Sequence, residues 1–216
     1  MIRLLLVDDH PVVRAGYQRL LEQGGEISVV AQAGDVDTAA VLFAQHAPDL
    51  TITDLSMPGS GGLELIRRLH ERAGPQVRVL VFSMHDSEML IRRALELGAR
   101  GFVTKASAPE QLLAAVHRVM AGGRYLSPDL PARLLGNAVV SSVSPAEAQF
   151  DSLTQREFEI FRLLAGGISP AECARALHLS PKTVSNHQSV IKEKLGLSTS
   201  AAMAHLALRH GLISAG

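Results

Sequence analysis

Five side chains of the kind that carry phosphoryl chemistry stand directly after short hydrophobic runs of this sequence. They are Asp8, Asp9, Asp54, Ser83 and Lys105. Clustered carboxylates supply the hard oxygens that Mg²⁺ prefers. A carboxylate next to that ion can attack a phosphoryl group and form an aspartyl phosphate. A lysine and a serine can then contact the phosphoryl oxygens, where charge is balanced during transfer.

The elements that position these side chains alternate between strand-like and helix-like segments along the first 123 residues. The predicted strands are Ile2–Val7, Ile27–Ala31, Leu50–Thr53, Val77–Phe82 and Gly101–Val103. Nearly continuous runs of Val, Ile and Leu are typical of strands covered on both faces in a parallel sheet. The pattern predicts an α/β fold with a doubly wound five-stranded parallel sheet. Its site should lie beyond the carboxyl ends of the strands.

Two of the intervening helices carry recognisable signals. Pro11 stands at a first helical turn, and Val13, Tyr17, Leu20 and Leu21 follow at the spacing of one helix face. The stretch from Ser107 to Glu110 has the pattern of a capping box, with Pro109 beside it. Taken singly, a carboxylate after a strand is more often a helix cap or a solvated loop residue. Five such residues at one edge are difficult to explain as accident.

Residues 124–148 are predicted to be an interdomain linker. Prolines and serines interrupt only a short helical stretch near Ala132–Leu135. From residue 149 to 214 the strand signals disappear, and helix starts follow at Thr154, Ser169 and Ser180. The first two are capping boxes, and the third is a serine cap followed by proline. A fourth helix is expected from Thr199 to His210. This second domain is all-α with helix-turn-helix proportions.

Composition adds weaker constraints. The chain carries 21 basic and 21 acidic residues. Residues 1–130 are slightly acidic and residues 148–216 slightly basic, which is compatible with a nucleic-acid-binding second domain. Cys173 is the only cysteine, so an intrachain disulfide is excluded. The sequence has no signal-peptide core and no stretch long enough to cross a bilayer, so we expect a cytoplasmic protein without a membrane partner.

The motifs of the first domain resemble those of receiver domains in two-component signalling systems. The resemblance is carried by Leu5–His10, Ile52–Gly59, Val81–Ser83 and Gly101–Lys105. It implies a flavodoxin-like receiver over residues 1–123. It also implies that a sensor histidine kinase is the phosphodonor partner.

The resemblance assigns a role to each residue of this cluster. Asp54 would be the phosphoacceptor. Mg²⁺ would be bound by Asp9, Asp54 and the backbone carbonyl of Ser56, with Asp8 acting through water. Ser83 and Lys105 would contact the phosphoryl group. Phe102 matches the aromatic switch position of these domains, and its ring would turn inward when Ser83 moves towards the phosphoryl oxygens.

The second domain resembles the LuxR-type helix-turn-helix, and a receiver joined to it is similar to NarL/FixJ transcriptional regulators. The matching stretches are Leu153–Glu157, Ile168–Ala174, Ser180–His187 and Lys194–Gly196. The resemblance implies that residues 181–194 form the recognition helix. Val184, Ile191 and Leu195 share its inward face.

Polar side chains on this helix are predicted to contact DNA. Asparagine can bind adenine edges, serine several bases, and lysine the phosphates. The predicted contact residues are Lys182, Thr183, Ser185, Asn186, His187, Ser189 and Lys192. Family members often carry a basic residue where Ser185 stands, so each protomer should make fewer phosphate contacts. A solvated helix face is the plainer interpretation of this stripe taken alone.

The resulting prediction is a phosphorylation-controlled regulator that binds double-stranded promoter DNA as a homodimer. The apolar residues of the last helix either help the protomers pair or complete the core; they are Ala202, Met203, Leu206 and Leu208. One alternative is an enzyme, such as a phosphatase that forms an aspartyl phosphate. That class needs a second aspartate two residues beyond the nucleophile, where Ser56 stands, so the chain is predicted not to be an enzyme. Another alternative is an output domain that binds protein or RNA.

Overall fold

A computed structural model describes residues 1–57, 61–130, 150 and 152–213. The chain divides into two compact units, Met1–Gly136 and Asn137–Gly216. The expected helical stretch at Ala132–Leu135 and the rest of the linker from residue 131 to 148 lie outside the described residues.

The first unit is a parallel sheet with helices between its strands. Its strands are β1 (Ile2–Val7), β2 (Ile27–Ala33), β3 (Leu50–Thr53), β4 (Val79–Ser83), β5 (Gly101–Thr104) and β6 (Tyr125–Leu126). Its helices are α1 (Pro11–Glu22), α2 (Val36–His46), α3 (Gly61–Ala73), α4 (Glu88–Glu96) and α5 (Pro109–Met120). The strand order is β2-β1-β3-β4-β5-β6. The order reverses between β1 and β3, which is where doubly wound sheets place their ligands.

The five expected strands are confirmed, and a sixth corrects the predicted number. β6 pairs in parallel with β5 through Gly101 and Tyr125 and through Phe102 and Leu126. A Cβ atom at Gly101 would lie 2.8 Å from the Tyr125 carbonyl oxygen, so glycine permits the close approach of the two strands. Two residues are too short for a periodicity signal, and β6 falls in the segment assigned to the linker from residue 124.

The cap of α5 also differs from the prediction. This helix begins at Pro109 after Ala108, with no side-chain hydrogen bond at its cap. The Ser107 hydroxyl instead lies 2.7 Å from the Thr104 hydroxyl and donates to Asp129 at 3.1 Å. Ser107 is therefore bonded to the distant Asp129 and does not form the expected capping box, because the local sequence pattern cannot reveal a tertiary partner.

Apolar side chains of the central strands form the core of the first unit. Leu4, Leu6, Ile52, Leu80 and Phe82 are almost fully buried and belong to one cluster with the inner face of α5. Burial on both faces of the sheet explains why the strands are nearly continuous hydrophobic runs.

The second unit consists of four described helices. They are α6 (Gln155–Ala165), α7 (Pro170–Ala176), α8 (Pro181–Lys194) and α9 (Ser200–Arg209). The capping boxes at Thr154 and Ser169 and the serine cap at Ser180 are confirmed. Phe150 packs edge-on against Phe158 and Phe161 inside this domain. The helix-turn-helix is formed by α7, the corner at residues 177–180, and α8.

Candidate phosphorylation site and candidate nucleic-acid interface

Four neighbouring strands bring the predicted reactive side chains to one edge of the sheet. Asp8 follows β1, Asp54 follows β3, Ser83 ends β4 and Lys105 follows β5. The Asp54 amide donates to the Val7 carbonyl at 2.9 Å, which places the carboxylates of two strands side by side. The convergence that the sequence pattern predicted is therefore present in the fold.

The Asp54 carboxylate is buried and its two oxygens have different surroundings. Oδ1 accepts hydrogen bonds from the Leu55 amide at 2.6 Å, the Ser56 amide at 3.2 Å and the Ser83 hydroxyl at 2.7 Å. Oδ2 accepts from the Lys105 ammonium at 2.7 Å. Two backbone amides and the Ser83 hydroxyl thus hold Oδ1, whereas the long Lys105 side chain is bonded to Oδ2.

Lys105 bridges two carboxylates in the buried site. Its Nζ donates to Asp8 Oδ2 as well as to Asp54, and it lies 5.9 Å from the centre of the Phe82 ring. Burial by itself would raise the pKa of Asp54, but the hydrogen bond and charge of Lys105, together with the hydrogen bonds from Ser83 and the Ser56 amide, lower it. Burial would likewise lower the pKa of Lys105, yet Asp54 and Asp8 raise it. Both groups are therefore charged at neutral pH.

A glycine allows α3 to approach the Asp54 backbone. A Cβ atom at Gly62 would lie 2.0 Å from the Asp54 carbonyl oxygen. The Gly62 amide donates to the Leu55 carbonyl at 3.2 Å. A larger side chain at this position would displace the strand end that carries the predicted phosphoacceptor.

The Asp8–His10 turn gathers groups that can bind a divalent cation. One ligand atom from each of Asp8, Asp9 and His10 lies within 4.8 Å of the others. The His10 amide donates to Asp8 Oδ1 at 2.8 Å, and its Nδ1 lies 2.8 Å from Asp9 Oδ1. The Arg14 guanidinium donates to the Asp8 carbonyl oxygen. Neither His10 nor Arg14 was predicted as a site residue, because His10 only ends the first motif and Arg14 is a polar residue of α1 without a motif of its own.

The predicted switch residues are already in contact with the site or the core. Ser83 is bonded to Asp54, and Phe102 is fully buried. Burial of the Phe102 ring therefore occurs here while Ser83 contacts the carboxylate itself. Under the switch hypothesis, the ring becomes buried only after Ser83 moves towards a phosphoryl group.

The predicted recognition helix α8 presents a polar surface. Val184, Ile191 and Leu195 are buried, which confirms the predicted inward face. Four of the predicted contact residues are exposed, namely Lys182, Ser185, Asn186 and Ser189. The other three are half-buried, namely Thr183, His187 and Lys192.

Hydroxyl groups along α8 are engaged with the helix backbone. Ser185 donates to the Pro181 carbonyl at 3.0 Å, and Ser189 donates to the Ser185 carbonyl at 3.2 Å. The Thr183 hydroxyl lies 2.8 Å from that of Ser180. Lys182 and Asn186 are thus the exposed groups on this surface best able to contact a phosphate or a base edge.

One carboxylate joins the start of the helical domain to the end of α8. Glu157 Oε2 accepts the Thr154 amide at 2.7 Å and the Lys194 ammonium at 2.7 Å. Burial would raise the pKa of Glu157, but the bonds from Lys194 and Thr154 lower it. Glu157 therefore fixes both a helix cap and the orientation of α8.

We expect Glu157→Ala to destabilise the helical domain by about 1–3 kcal/mol, because a cap and a charged hydrogen bond are lost together. The matched control is Glu172→Ala, which removes the capping box of α7, where the carboxylate contacts Ser169. Chemical denaturation of the full chain, followed by circular dichroism, should show the larger loss for Glu157→Ala. Equal losses would contradict a special role for the Lys194 contact.

Cys173 lies in the core of the helical domain. It is fully buried, and burial raises the pKa of its thiol to about 11. Such a thiol is poorly reactive, in agreement with a packing role on α7.

Comparison with family models assigns both units. The model described as the response regulator receiver domain matches residues 4–117. The model described as bacterial regulatory proteins of the luxR family matches residues 151–207. The chain belongs to the LuxR-type response regulators. It thus joins a receiver to a DNA-binding helix-turn-helix domain and is a transcription regulator of a two-component system.

Two similar proteins align with nearly the whole chain. The transcriptional activator protein ExaE of Pseudomonas putida is 41% identical over 210 residues, covering 97% of each chain. The response regulator UvrY of Escherichia coli K12 is 35% identical over 217 residues, covering all of this chain and 97% of its own.

A solved structure of a similar protein also aligns with nearly the whole chain. RcsB from Salmonella enterica serovar Typhimurium, bound to promoter rprA with the phosphomimetic BeF₃⁻, is 28% identical. It covers 95% of this chain and 98% of its own, with a TM-score of 0.69. In the part of the chain that the structure describes, no helix is long and apolar enough to span a membrane.

Proposed function

We propose that a phosphoryl group on Asp54 controls DNA binding by the helix-turn-helix domain of this response regulator. The observation that carries the proposal is the buried Asp54 carboxylate held between Ser83 and Lys105 at the carboxyl edge of the sheet. A doubly wound sheet uses this edge for ligands.

The chain's own residues supply a nucleophile and the groups that balance its charge. The lowered pKa keeps Asp54 ionised. Oδ2 is the oxygen we assign to attack, because its donor is the long Lys105 side chain rather than fixed amides. A bond forms between Oδ2 and phosphorus while the bond from phosphorus to the donor breaks, and the leaving group keeps that electron pair. Lys105 and Ser83 then contact the phosphoryl oxygens.

The carboxylates of this site fit a Mg²⁺ ion. Asp9 and Asp54 would bind it together with the Ser56 carbonyl, and Asp8 would act through water. Ionised carboxylates and a carbonyl are the hard donors that Mg²⁺ takes. When bound, the ion would neutralise charge on the transferred group. Asp8 also accepts a hydrogen bond from the Lys105 ammonium, which holds the two side chains together beside Asp54.

The receiver implies a sensor kinase as phosphodonor, and we propose a histidine kinase. Action on promoter DNA would place the protein in the bacterial cytoplasm. We propose a receiver over residues 1–123 that β6 extends, a linker within residues 124–148, and a DNA-binding domain over residues 149–214.

The surface of α8 supports double-stranded promoter DNA as the target. Its exposed Lys182 and Asn186 match phosphate and base contacts, and the RcsB relative was solved on promoter DNA. In this chain, Ser56 stands where an aspartyl-phosphate phosphatase would carry a second aspartate. Regulation therefore accounts for the site better than turnover of a separate substrate.

A salt titration of binding to a selected promoter fragment tests DNA as the partner. If Lys182 and Lys192 each neutralise one phosphate in both protomers, log K should fall against log salt with a slope of about −3 to −4. Lys182→Gln should make the slope shallower, whereas Arg19→Gln is the control, because it removes one positive charge from an exposed residue of α1 in the receiver. A slope near zero, or equal affinity for an RNA duplex of the same sequence, would contradict the proposal.

A further inference from the structure

Asp129 lies outside every motif of the receiver, yet it contacts the loop that carries Lys105. Its Oδ2 accepts the Thr104 hydroxyl at 2.9 Å, and its Oδ1 accepts the Ser107 hydroxyl at 3.1 Å. The two hydroxyls lie 2.7 Å apart. Thr104 directly precedes Lys105, and Ser107 follows it by two residues, so one carboxylate holds both sides of the lysine.

The backbone around Asp129 is anchored to the same strand. The Ser127 hydroxyl accepts the Thr104 amide at 3.0 Å, and the Ser127 amide donates to the Phe102 carbonyl at 3.0 Å. The Leu130 amide donates to the Ser127 carbonyl at 2.9 Å. Both Ser127 and Thr104 are buried. The segment from Ser127 to Leu130 is therefore a built support for the end of β5.

The Lys105 loop has few supports of its own besides the hydrogen bond from the Ser107 amide to the Thr104 carbonyl at 3.1 Å. The Lys105 amide donates to the Ser83 carbonyl at 2.9 Å, which fixes one side of the residue. On the other side, α5 begins after Ala108 with no side-chain cap. Ser107, the residue that could have capped the helix, is bonded to Asp129 instead.

We propose that Asp129 is a positioning residue for Lys105, acting through Thr104 and Ser107 on phosphoryl transfer to Asp54. The inference rests on the proposed function of Asp54. Lys105 Nζ must meet two carboxylates at once in a buried site. Small displacements of its backbone change both contacts, because the side chain is already confined between Asp8, Asp54 and Phe82.

A double-mutant cycle on the full-length chain tests the proposal. The rate of phosphorylation by acetyl phosphate with Mg²⁺ is followed on gels that retard phosphoproteins. We expect Asp129→Ala to slow the reaction by about 10- to 100-fold, the effect of misplacing a reacting group by up to 1 Å. We expect a Lys105→Ala background to react more slowly, and in it Asp129→Ala should cause no further slowing. A merely structural role would slow both backgrounds equally.

Asp49→Ala is the matched control, because that aspartate accepts the Arg3 amide at 2.8 Å before β3, at the opposite edge of the sheet. It should react like the unmodified chain. If Asp129→Ala does not fold, Ser107→Ala takes its place in the same cycle and should show a smaller slowing in the same direction.

The outcomes separate this inference from the proposed function. If the unmodified chain acquires no phosphoryl group, the proposed function fails and this inference with it. If the unmodified chain reacts and the Asp129→Ala rate equals it, or if slowing persists without Lys105, only the positioning role of Asp129 is overturned.

Discussion

We expect Asp54→Asn to abolish labelling of this response regulator by acetyl phosphate and Mg²⁺, reducing it to background. The amide cannot supply the ionised oxygen that attacks phosphorus. It nevertheless keeps the shape of the carboxylate, so the bonds from Leu55, Ser56 and Ser83 have an acceptor of the same size. Intact mass spectrometry should find one added phosphoryl group on the unmodified chain, stable in acid and labile in base, and none on the variant.

Two other aspartates and removal of the metal provide controls for this experiment. Asp9→Asn should raise the Mg²⁺ concentration needed for labelling, since one of the proposed metal ligands becomes neutral. Chelation of Mg²⁺ should stop labelling of the unmodified chain. Asp35→Asn changes an aspartate that caps α2 through Thr38 and should leave labelling intact. Undiminished labelling of Asp54→Asn would overturn the assignment of the phosphoacceptor.

The positions of Asp8, Asp54, Ser83 and Lys105 could be predicted because each stands within two residues of the end of a hydrophobic run. Runs of that length define strands, and parallel strands in a doubly wound sheet end at the same edge. The helix starts at Thr154, Ser169 and Ser180 were predictable for a related reason. A cap depends on residues within one turn, so local sequence contains its whole signal.

The parts that escaped prediction depend on contacts between distant residues. Ser107 has the local pattern of a cap, but Asp129 lies 22 residues further along the chain and takes its hydroxyl. β6 consists of two residues whose pairing relies on the close approach allowed at Gly101. Arg14 of α1 donates to the Asp8 carbonyl. The hydrophobic pattern of α1 predicts which face is apolar but not what its polar side chains contact. The Ser107 contact, the β6 pairing and the Arg14 contact each depend on a partner that is distant or non-periodic in the sequence, so the local sequence pattern does not predict them.

Phosphorylation at Asp54 is expected to convert weak monomeric DNA binding into tight binding by a homodimer. One α8 helix offers Lys182 and Asn186, while the Ser185 and Ser189 hydroxyls are bonded to the helix backbone. A single domain should therefore bind near the non-specific range of about 10⁻⁴–10⁻⁶ M. Two linked domains on adjacent half-sites make the second contact at high effective concentration, a gain of about 10²–10⁴ in affinity.

The helical domain offers a restricted surface for pairing. Met203 and Leu206 of α9 are buried and complete the core, whereas Ala202 is half-buried and Leu208 is 43% exposed. Leu208→Asp should weaken cooperative binding if this face pairs the protomers on DNA. The control is Val41→Asp, which places the same charge at an exposed apolar residue of α2 in the receiver.

Two measurements test this dimerisation, each made with and without acetyl phosphate. One is the mass of the protein in solution, and the other is its affinity for a promoter fragment selected from genomic DNA. Light scattering should report a dimer only after phosphorylation, and gel shifts should show a matching rise in affinity that Asp54→Asn lacks. Because a two-fold dimer presents two identical helices, the selected site should contain inverted half-sites about one helical turn apart or closer. A fully phosphorylated protein that remains monomeric on DNA with unchanged affinity would exclude dimerisation as the step that phosphate controls.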